Sequence, residues 1–318
     1  MSHPDLSIGD EVAAALADRR AVVAMESTIY SGLGLPSPAN EEALARCSAA
    51  IRDAGAVPAM VAVLDGRWQV GVAEADVERV LAARTKIAER DLAVAAATAL
   101  PAGVTTVSGT LADAAAAGIV VFATGGIGGV HRHSELTGDV SADLQAIARH
   151  PVVTTCAGAK AFLDLPKTVE LLDTLGVPLL GWRHEWFPAF YTRSSGLPVQ
   201  HRVESAEEVA AIVRHRPDPA RGVLLAAPIP EAAELDGALL DGIVADALAA
   251  VDAAGVQGAA VTPFVLARLE EATGGTSVIA NLALAEHNAS VAAQVAVALT
   301  APEARSPSPA GVTGRSAA

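Results

Sequence analysis

The run VVFATGGIGGVHRHSELTGDVSADLQAIARHPVVTTCAGAK, from Val120 to Lys160, holds two buried-strand signals and most of the groups able to do chemistry. Its first residues are apolar and β-branched, which reads as a strand buried on both faces. A glycine-dense turn follows, Gly125-Gly126-Ile127-Gly128-Gly129, where bare backbone can approach a ligand closely. Then come His131-Arg132-His133, two aspartates at Asp139 and Asp143, a short helix and the strand VVTTC. The run ends on Lys160 among small residues, a place where a desolvated amine can act as nucleophile.

Working outward, the same strand-then-helix alternation recurs in both directions. Upstream, a helix over 10–20 leads into a strand Ala21–Met25 that stops at Glu26-Ser27-Thr28. Asn40 suits the N-cap of a helix ended by Gly55. VPAMVAVLDGRWQVGV reads as a hairpin turning at Asp65-Gly66. Helices are expected near 74–84, from about Asp91, and up to Gly118 after the strand GVTTVSGT. Downstream, a helix over 161–176, the strand VPLLGW, a capped helix from Ser205 to Arg214 and the strand GVLLAAPIPE are followed by helices at 235–254, 263–272 and 279–299. This alternation predicts an α/β chain, a three-layer α/β/α arrangement with a mostly parallel sheet. No break in composition divides residues 1–300, so one domain is expected there. The Pro/Ser/Gly-rich tail, 301–318, is expected to be disordered.

The chain has 318 residues and is 52% hydrophobic but only 3% aromatic, which suits packed helices on buried strands. A net charge of −14 disfavours a nucleic-acid surface, while leaving room for a small anion in a locally positive pocket. Two cysteines, Cys47 and Cys156, make no disulfide framework and read as small core residues. The first residues are not expected to form a leader, and no apolar run is expected to reach membrane-spanning length. The expectation is a cytoplasmic protein with neither nucleic-acid nor membrane partner.

The glycine run fits neither familiar phosphate loop. The third glycine of a dinucleotide fingerprint would fall on His131, and no G-K-[ST] follows for a P-loop. Glu26 ends a strand, where open sheets place their sites, or else caps a loop. Lys160 is a candidate nucleophile or a solvated first-turn lysine. Asp139 or Asp143 suits a hard cation such as Mg²⁺ or Mn²⁺, although Asp143 could equally stabilise a helix N-terminus. His131 and His133, two apart, do not make a helical zinc pair. Either suits a phosphate or metal-water contact as well as a solvated loop position. The aromatics of HEWFPAFYTRSSG read as packing or subunit contact.

Together, AMESTI (24–29), Gly125 to Arg132, Val140 to Leu144 and Cys156 to Lys160 resemble pseudouridine-5'-phosphate glycosidase. FPAFYTRSSG, PIPE at 228–231, Thr262-Pro263-Phe264 and Asn281 with His287-Asn288-Ala289 extend the resemblance over about residues 8–300. It implies an α/β/α homotrimer that reversibly cleaves the C–C glycosidic bond of pseudouridine 5'-phosphate to uracil and ribose 5-phosphate. It also implies Lys160 as the imine-forming nucleophile, Glu26 as the proton carrier and Asp139 as ligand to Mn²⁺ or another divalent cation. Substrate contacts would fall on Lys86, Val107, Ser141, Ala142 and Asp143, and further ones on His131 and Asn288. One departure is the run Ser31-Gly32-Leu33-Gly34-Leu35-Pro36, longer than the family's Ser-His-Gly and without its histidine. The alternatives are a C-glycoside synthase of the same fold acting on a different ring, and a non-catalytic sugar-phosphate-binding protein.

Overall fold

The computed structural model describes residues 3–256, 258 and 261–301. The expectation for the tail therefore lies outside the described residues, apart from Ala301. Eleven strands form one mixed sheet: β1 Leu6–Ile8, β2 Val22–Glu26, β3 Val57–Leu64, β4 Arg67–Val70, β5 Lys86–Ile87, β6 Ala102–Thr105, β7 Val121–Ala123, β8 Val153–Cys156, β9 Leu179–Trp182, β10 His201–Val203 and β11 Val223–Ala226. The order is β1-β4-β3-β2-β7-β8-β11-β9-β10, with β6 branching from β3 and β5 from β6. Among the described residues, only the β3–β4 and β3–β6 strand pairs are antiparallel. Strands β2, β7, β8, β9 and β11 are buried along their whole length, as expected where both faces of a parallel sheet are covered.

The helices are α1 Asp10–Ala17, α2 Ala39–Asp53, α3 Val77–Ala82, α4 Leu92–Ala97, α5 Val107–Ala117, α6 Ser134–Thr137, α7 Ala142–Arg149, α8 Leu165–Thr174, α9 Ala206–Arg214, α10 Gly237–Ala254, α11 Val261–Ala272 and α12 Thr276–Thr300. Helix α12 packs on α2, α9 and strands β2, β7 and β8, while α5 packs on α7 and on β2 and β3. The sheet thus lies between two helical layers, as the alternation predicted. Asp65 and Gly66 both take positive φ, which gives the tight β3–β4 hairpin its twist.

Four readings change. The strand expected over GVTTVSGT ends at Thr105, and Val107 to Thr110 open helix α5 instead. Asn40 is not a cap: α2 begins at Ala39, and the Asn40 amide instead donates to the Tyr30 carbonyl at 3.0 Å. Helix α8 starts at Leu165, not 161, because the Asp164 carboxylate caps it by accepting from Lys167 N at 3.1 Å. And, among the described residues, one helix is long and apolar enough to cross a membrane: α12, with 25 residues and an 18-residue window of mean hydropathy 1.2. Its apolar surface is used inside the protein, since 56% of that window is buried.

The register of the sheet builds the site. Strand β3 outruns β2, and β6 returns antiparallel along its overhang. The end of β6 therefore meets the end of β2. Thr105 N donates to Ser27 Oγ at 2.9 Å, and Thr28 Oγ1 donates to the Thr105 carbonyl at 2.7 Å. Glu26, the start of α5 and the glycine turn after β7 converge on that spot.

Candidate active site

Glu26 is the last residue of β2 and sits at the base of a cavity of about 310 Å³. The residue is 9% exposed, and its carboxylate accepts from Thr124 Oγ1 at 2.6 Å. Burial raises its pKa from 4.5 to about 7, against the opposing pull of Lys160, the Thr124 hydrogen bond and Lys86. A carboxyl that holds or releases a proton near neutrality suits general acid–base work.

The glycine turn and the Lys160 segment extend β7 and β8 as a loose parallel ladder. Ala157 N donates to the Gly125 carbonyl at 2.9 Å, Ile127 N to Gly158 at 3.0 Å and Lys160 N to Ile127 at 3.2 Å. This pairing places Lys160 in the cavity beside Glu26. Glycine is needed here for space: a Cβ on Gly126 would lie 2.5 Å from the Phe190 ring.

Asp143, in the first turn of α7, is 7% exposed and accepts two backbone bonds. Its Oδ1 takes Ser108 N at 3.0 Å and its Oδ2 takes Gly128 N at 2.9 Å. It braces α5, α7 and the glycine turn against one another, a use its helix-start position foreshadowed. Ser141 caps the same helix, accepting from Asp143 N at 3.2 Å. Lys86, on β5, is pushed below its ordinary pKa by burial and then by Lys160, while Glu26 and Asp143 pull it back up. With Arg90 and the first turn of α5 around Val107, whose amide has no partner within the helix, it makes the cationic end of the cavity.

His131 and Asp139 face each other, Nδ1 to Oδ2 at 3.7 Å, with side-chain exposures of 20% and 39%. Burial, aided by Lys160, lowers the His131 pKa, and Asp139 opposes the shift. Among the described residues no group of three or more His, Cys, Asp or Glu side chains is arranged to hold a metal. His133 is an exposed loop residue.

The structure thus gathers Glu26, Lys86, Val107, His131, Asp139, Ser141, Ala142, Asp143 and Lys160 around one cavity. Asn288 is the exception. It is fully buried behind the glycine turn, where its amide donates to the carbonyls of Thr124 at 2.8 Å and Gly125 at 3.1 Å. Its place as a substrate contact is corrected to that of a brace. Sequence reasoning missed Thr124, Arg90 and Phe190, and used Asn281 only as part of a motif. Asn281 lines the cavity with a buried Oδ1 that has no protein partner among the described residues. Only the strand-end position of Thr124, next in space to Glu26, could have pointed to it.

The family described as indigoidine synthase A like protein matches residues 11–298. The pseudouridine-5'-phosphate glycosidase of Sorangium cellulosum is 48% identical over 307 residues, covering 95% of this chain and 96% of that one. The chain belongs to the pseudouridine-5'-phosphate glycosidase family. Another glycosidase of this family, from Caldanaerobacter subterraneus subsp. tengcongensis, is 46% identical over 298 residues, covering 92% of this chain and 96% of its own. The solved prealnumycin C-glycosynthase AlnA, in complex with ribulose 5-phosphate, has a TM-score of 0.85 at 38% identity, covering 94% of this chain and 98% of that one. An indigoidine synthase A-like protein of Thermotoga maritima has a TM-score of 0.83 at 32% identity, covering 93% and 97%. The resemblance read from the motifs is borne out, and the α/β fold with it.

Proposed function

We propose that this chain is a pseudouridine-5'-phosphate glycosidase in which Lys160 is the nucleophile and Glu26 the proton carrier. The observation that carries the reading is the pair itself: an amine and a carboxyl with a pKa near 7 in one cavity with a cationic end. A C–C glycoside has no protonatable leaving nitrogen, so the bond must be broken through an electron sink at C1'.

The Lys160 nitrogen displaces the ring oxygen at C1', opening the ribose, and its proton passes to the departing oxygen as the C4' hydroxyl forms. Glu26 in its acid form protonates C5 of the uracil. The C1'–C5 electrons return to the base while the nitrogen lone pair closes an imine, and water then releases ribose 5-phosphate and the free amine. In the reverse direction ionised Glu26 takes the C5 proton. Lys86, Arg90 and the backbone at Val107 hold the phosphate, whose remote binding energy orients C1'. Ser141 and Ala142 complete that end. The solved relative that holds ribulose 5-phosphate, an isomer of the proposed product, supports a pentose-phosphate site.

Asp139, flanked by His131, suits a hard divalent cation that keeps most of its waters, since such ions take one or two carboxylates and complete their shell with water. Mn²⁺ is the cation that the motif resemblance implies, and it would supply positive charge to orient the bound sugar phosphate. A homotrimer in the cytoplasm belongs to the same reading; the two cysteines, both free and buried, suit a reducing compartment.

Borohydride reduction in the presence of ribose 5-phosphate tests the core claim. A stable adduct should form on the protein and disappear in Lys160→Ala. An undiminished adduct in that variant sinks Lys160 as nucleophile.

A further inference from the structure

The two side-chain cations at the phosphate end of the cavity, Lys86 and Arg90, sit on one short segment but are held differently. Lys86 is placed by its backbone, since β5 pairs with β6 in register at Lys86 and Ile87. That ladder ends at Ile87 and does not reach Arg90. Arg90 lies in a single helical turn, Glu89–Asp91. Its side chain is 75% exposed, with Asp91 Oδ1 at 3.6 Å as its one ion-pair partner among the described residues. An arginine on an unanchored turn binds phosphate poorly, because ordering its backbone and side chain costs entropy.

Glu89 supplies the anchor. Its Oε2 accepts from Arg149 Nη2 at 2.5 Å, and its Oε1 lies 3.2 Å from His150 Nε2. Both partners close the end of α7, the helix whose start brings Ser141 and Asp143 to the cavity. The Glu89 and His150 side chains are 27% and 19% exposed, so this contact is better shielded from water than an ordinary surface pair. Helix α5 holds the other side of the segment. The Glu89 amide donates to Ser108 Oγ at 3.4 Å, and Gly109 admits the Ile87 carbonyl, which would lie 2.5 Å from a Cβ there. Asp113, also on α5, is fully buried, and neither of its carboxyl oxygens is hydrogen-bonded among the described residues. Burial, with the charge of Glu89, raises its pKa well above the ordinary value, so Asp113 stays neutral and Glu89 carries the charge that Arg149 meets. A carboxylate next to a phosphate-binding arginine repels an anion through space. Its presence there calls for a compensating task.

We propose that Glu89 is a positioning residue for phosphate recognition: gripped by Arg149 and His150, it fixes the turn that presents Arg90 to the substrate. This rests on the reading above that the cationic end takes the 5'-phosphate. Glu89 does not touch the substrate. It acts through Arg90 by removing disorder from the free protein, so it bears on the binding of phosphorylated pentoses and not on the steps at C1'. The sign of its effect separates this role from simple electrostatics. Neutralising Glu89 removes a negative charge and frees Arg149 and His150, which by charge alone tightens anion binding. Loss of the anchor weakens it.

The test titrates ribose 5-phosphate into the full chain by calorimetry, for the wild type, Glu89→Gln, Arg90→Met and the double variant. Glu89→Gln should weaken binding about fivefold or more, while in the Arg90→Met background the same substitution should change it by less than about twofold. With pseudouridine 5'-phosphate as substrate, Glu89→Gln should raise KM about fivefold or more and leave kcat within about twofold. Glu89→Asp keeps the charge but draws the carboxylate back from both partners; it serves if Glu89→Gln does not fold, with the same expected losses. A wild type that does not bind ribose 5-phosphate, or binds it no better than Arg90→Met does, ends the phosphate assignment and the inference with it. If Arg90→Met weakens binding but Glu89→Gln leaves it unchanged or tighter, the positioning role alone is overturned. Equal losses from Glu89→Gln with and without Arg90 overturn it as well.

Discussion

At the scale of single residues, the site spends stability on a proton. Glu26 has a free-carboxyl pKa of 4.5 and a folded value of about 7. Below the lower value it is protonated in both states and costs nothing. As the pH rises from 4.5 to 7 the unfolded chain ionises first, so stability falls. Above 7 the folded protein carries the buried charge at a full cost of about 3 kcal/mol. Glu26→Gln keeps an acceptor for Thr124 and removes the charge. It should therefore raise stability by about 2–3 kcal/mol at pH 8 and by nearly nothing at pH 4 in denaturant titrations, while abolishing turnover. The wild-type cleavage rate should fall as the pH climbs through about 7, because protonation of C5 needs the acid form, and synthesis should rise over the same interval. A flat cleavage profile from pH 6 to 8 would remove Glu26 from the proton-transfer step. Asp139 invites a separate measurement. Asp139→Asn should weaken Mn²⁺ binding by tenfold or more in calorimetry on the substrate-free protein, and a chelator should lower activity that Mn²⁺ restores. Unchanged Mn²⁺ binding in the variant would move the cation elsewhere.

At the scale of elements, the site is held by bonds that cross between them. Asp143 ties α5 and α7 to the glycine turn, and Asn288 ties α12 to the end of β7. Because Asn288 holds the Thr124 carbonyl, and Thr124 holds Glu26, its loss should travel to the chemistry. Asn288→Ala takes the side-chain donor from the buried Thr124 carbonyl, while Gly125 keeps Ala157 N, and should destabilise the protein by about 1–2 kcal/mol. It should also lower kcat tenfold or more with little change in KM; a loss confined to KM would mean that Asn288 meets the substrate instead. These ties explain what the sequence could and could not show. Strands β2, β7, β8, β9 and β11 announced themselves as continuous apolar runs, and Glu26 and Lys160 stood out by ending or following them. Strands β1, β5 and β10, of two or three residues each, carry no periodic signal and exist only because a neighbour offers an edge. The fate of Asn288 was equally hidden, since a motif asparagine looks the same whether it faces a ligand or a carbonyl.

At the scale of the whole molecule, the cationic cavity end on an otherwise acidic chain fits the small anionic substrate proposed above. What the sheet and its helices leave uncovered bears on assembly. A cleft of about 610 Å³ runs between the 186–197 segment, the start of α8 and α10, lined by Pro166, Leu197, Leu240 and Val244 among others. Two large apolar side chains are exposed on neighbouring elements: Leu239 on α10, 61% exposed, and Leu136 on α6, 83% exposed. Helix α6 is held to the rim by Lys167, which bridges Glu135 at 2.8 Å and Asp164 at 3.2 Å. Exposed apolar residues bordering one recess are what a subunit contact needs. The proposed homotrimer accordingly places this face between copies of the chain. Light scattering on the purified protein should give three times the 32.0 kDa chain mass. Leu136→Asp combined with Leu239→Asp should shift the population towards the single-chain mass while far-UV circular dichroism stays the same, because neither side chain contributes to the core. A wild-type protein at the single-chain mass would end the trimer proposal, and a trimer indifferent to both substitutions would move its interface away from this cleft.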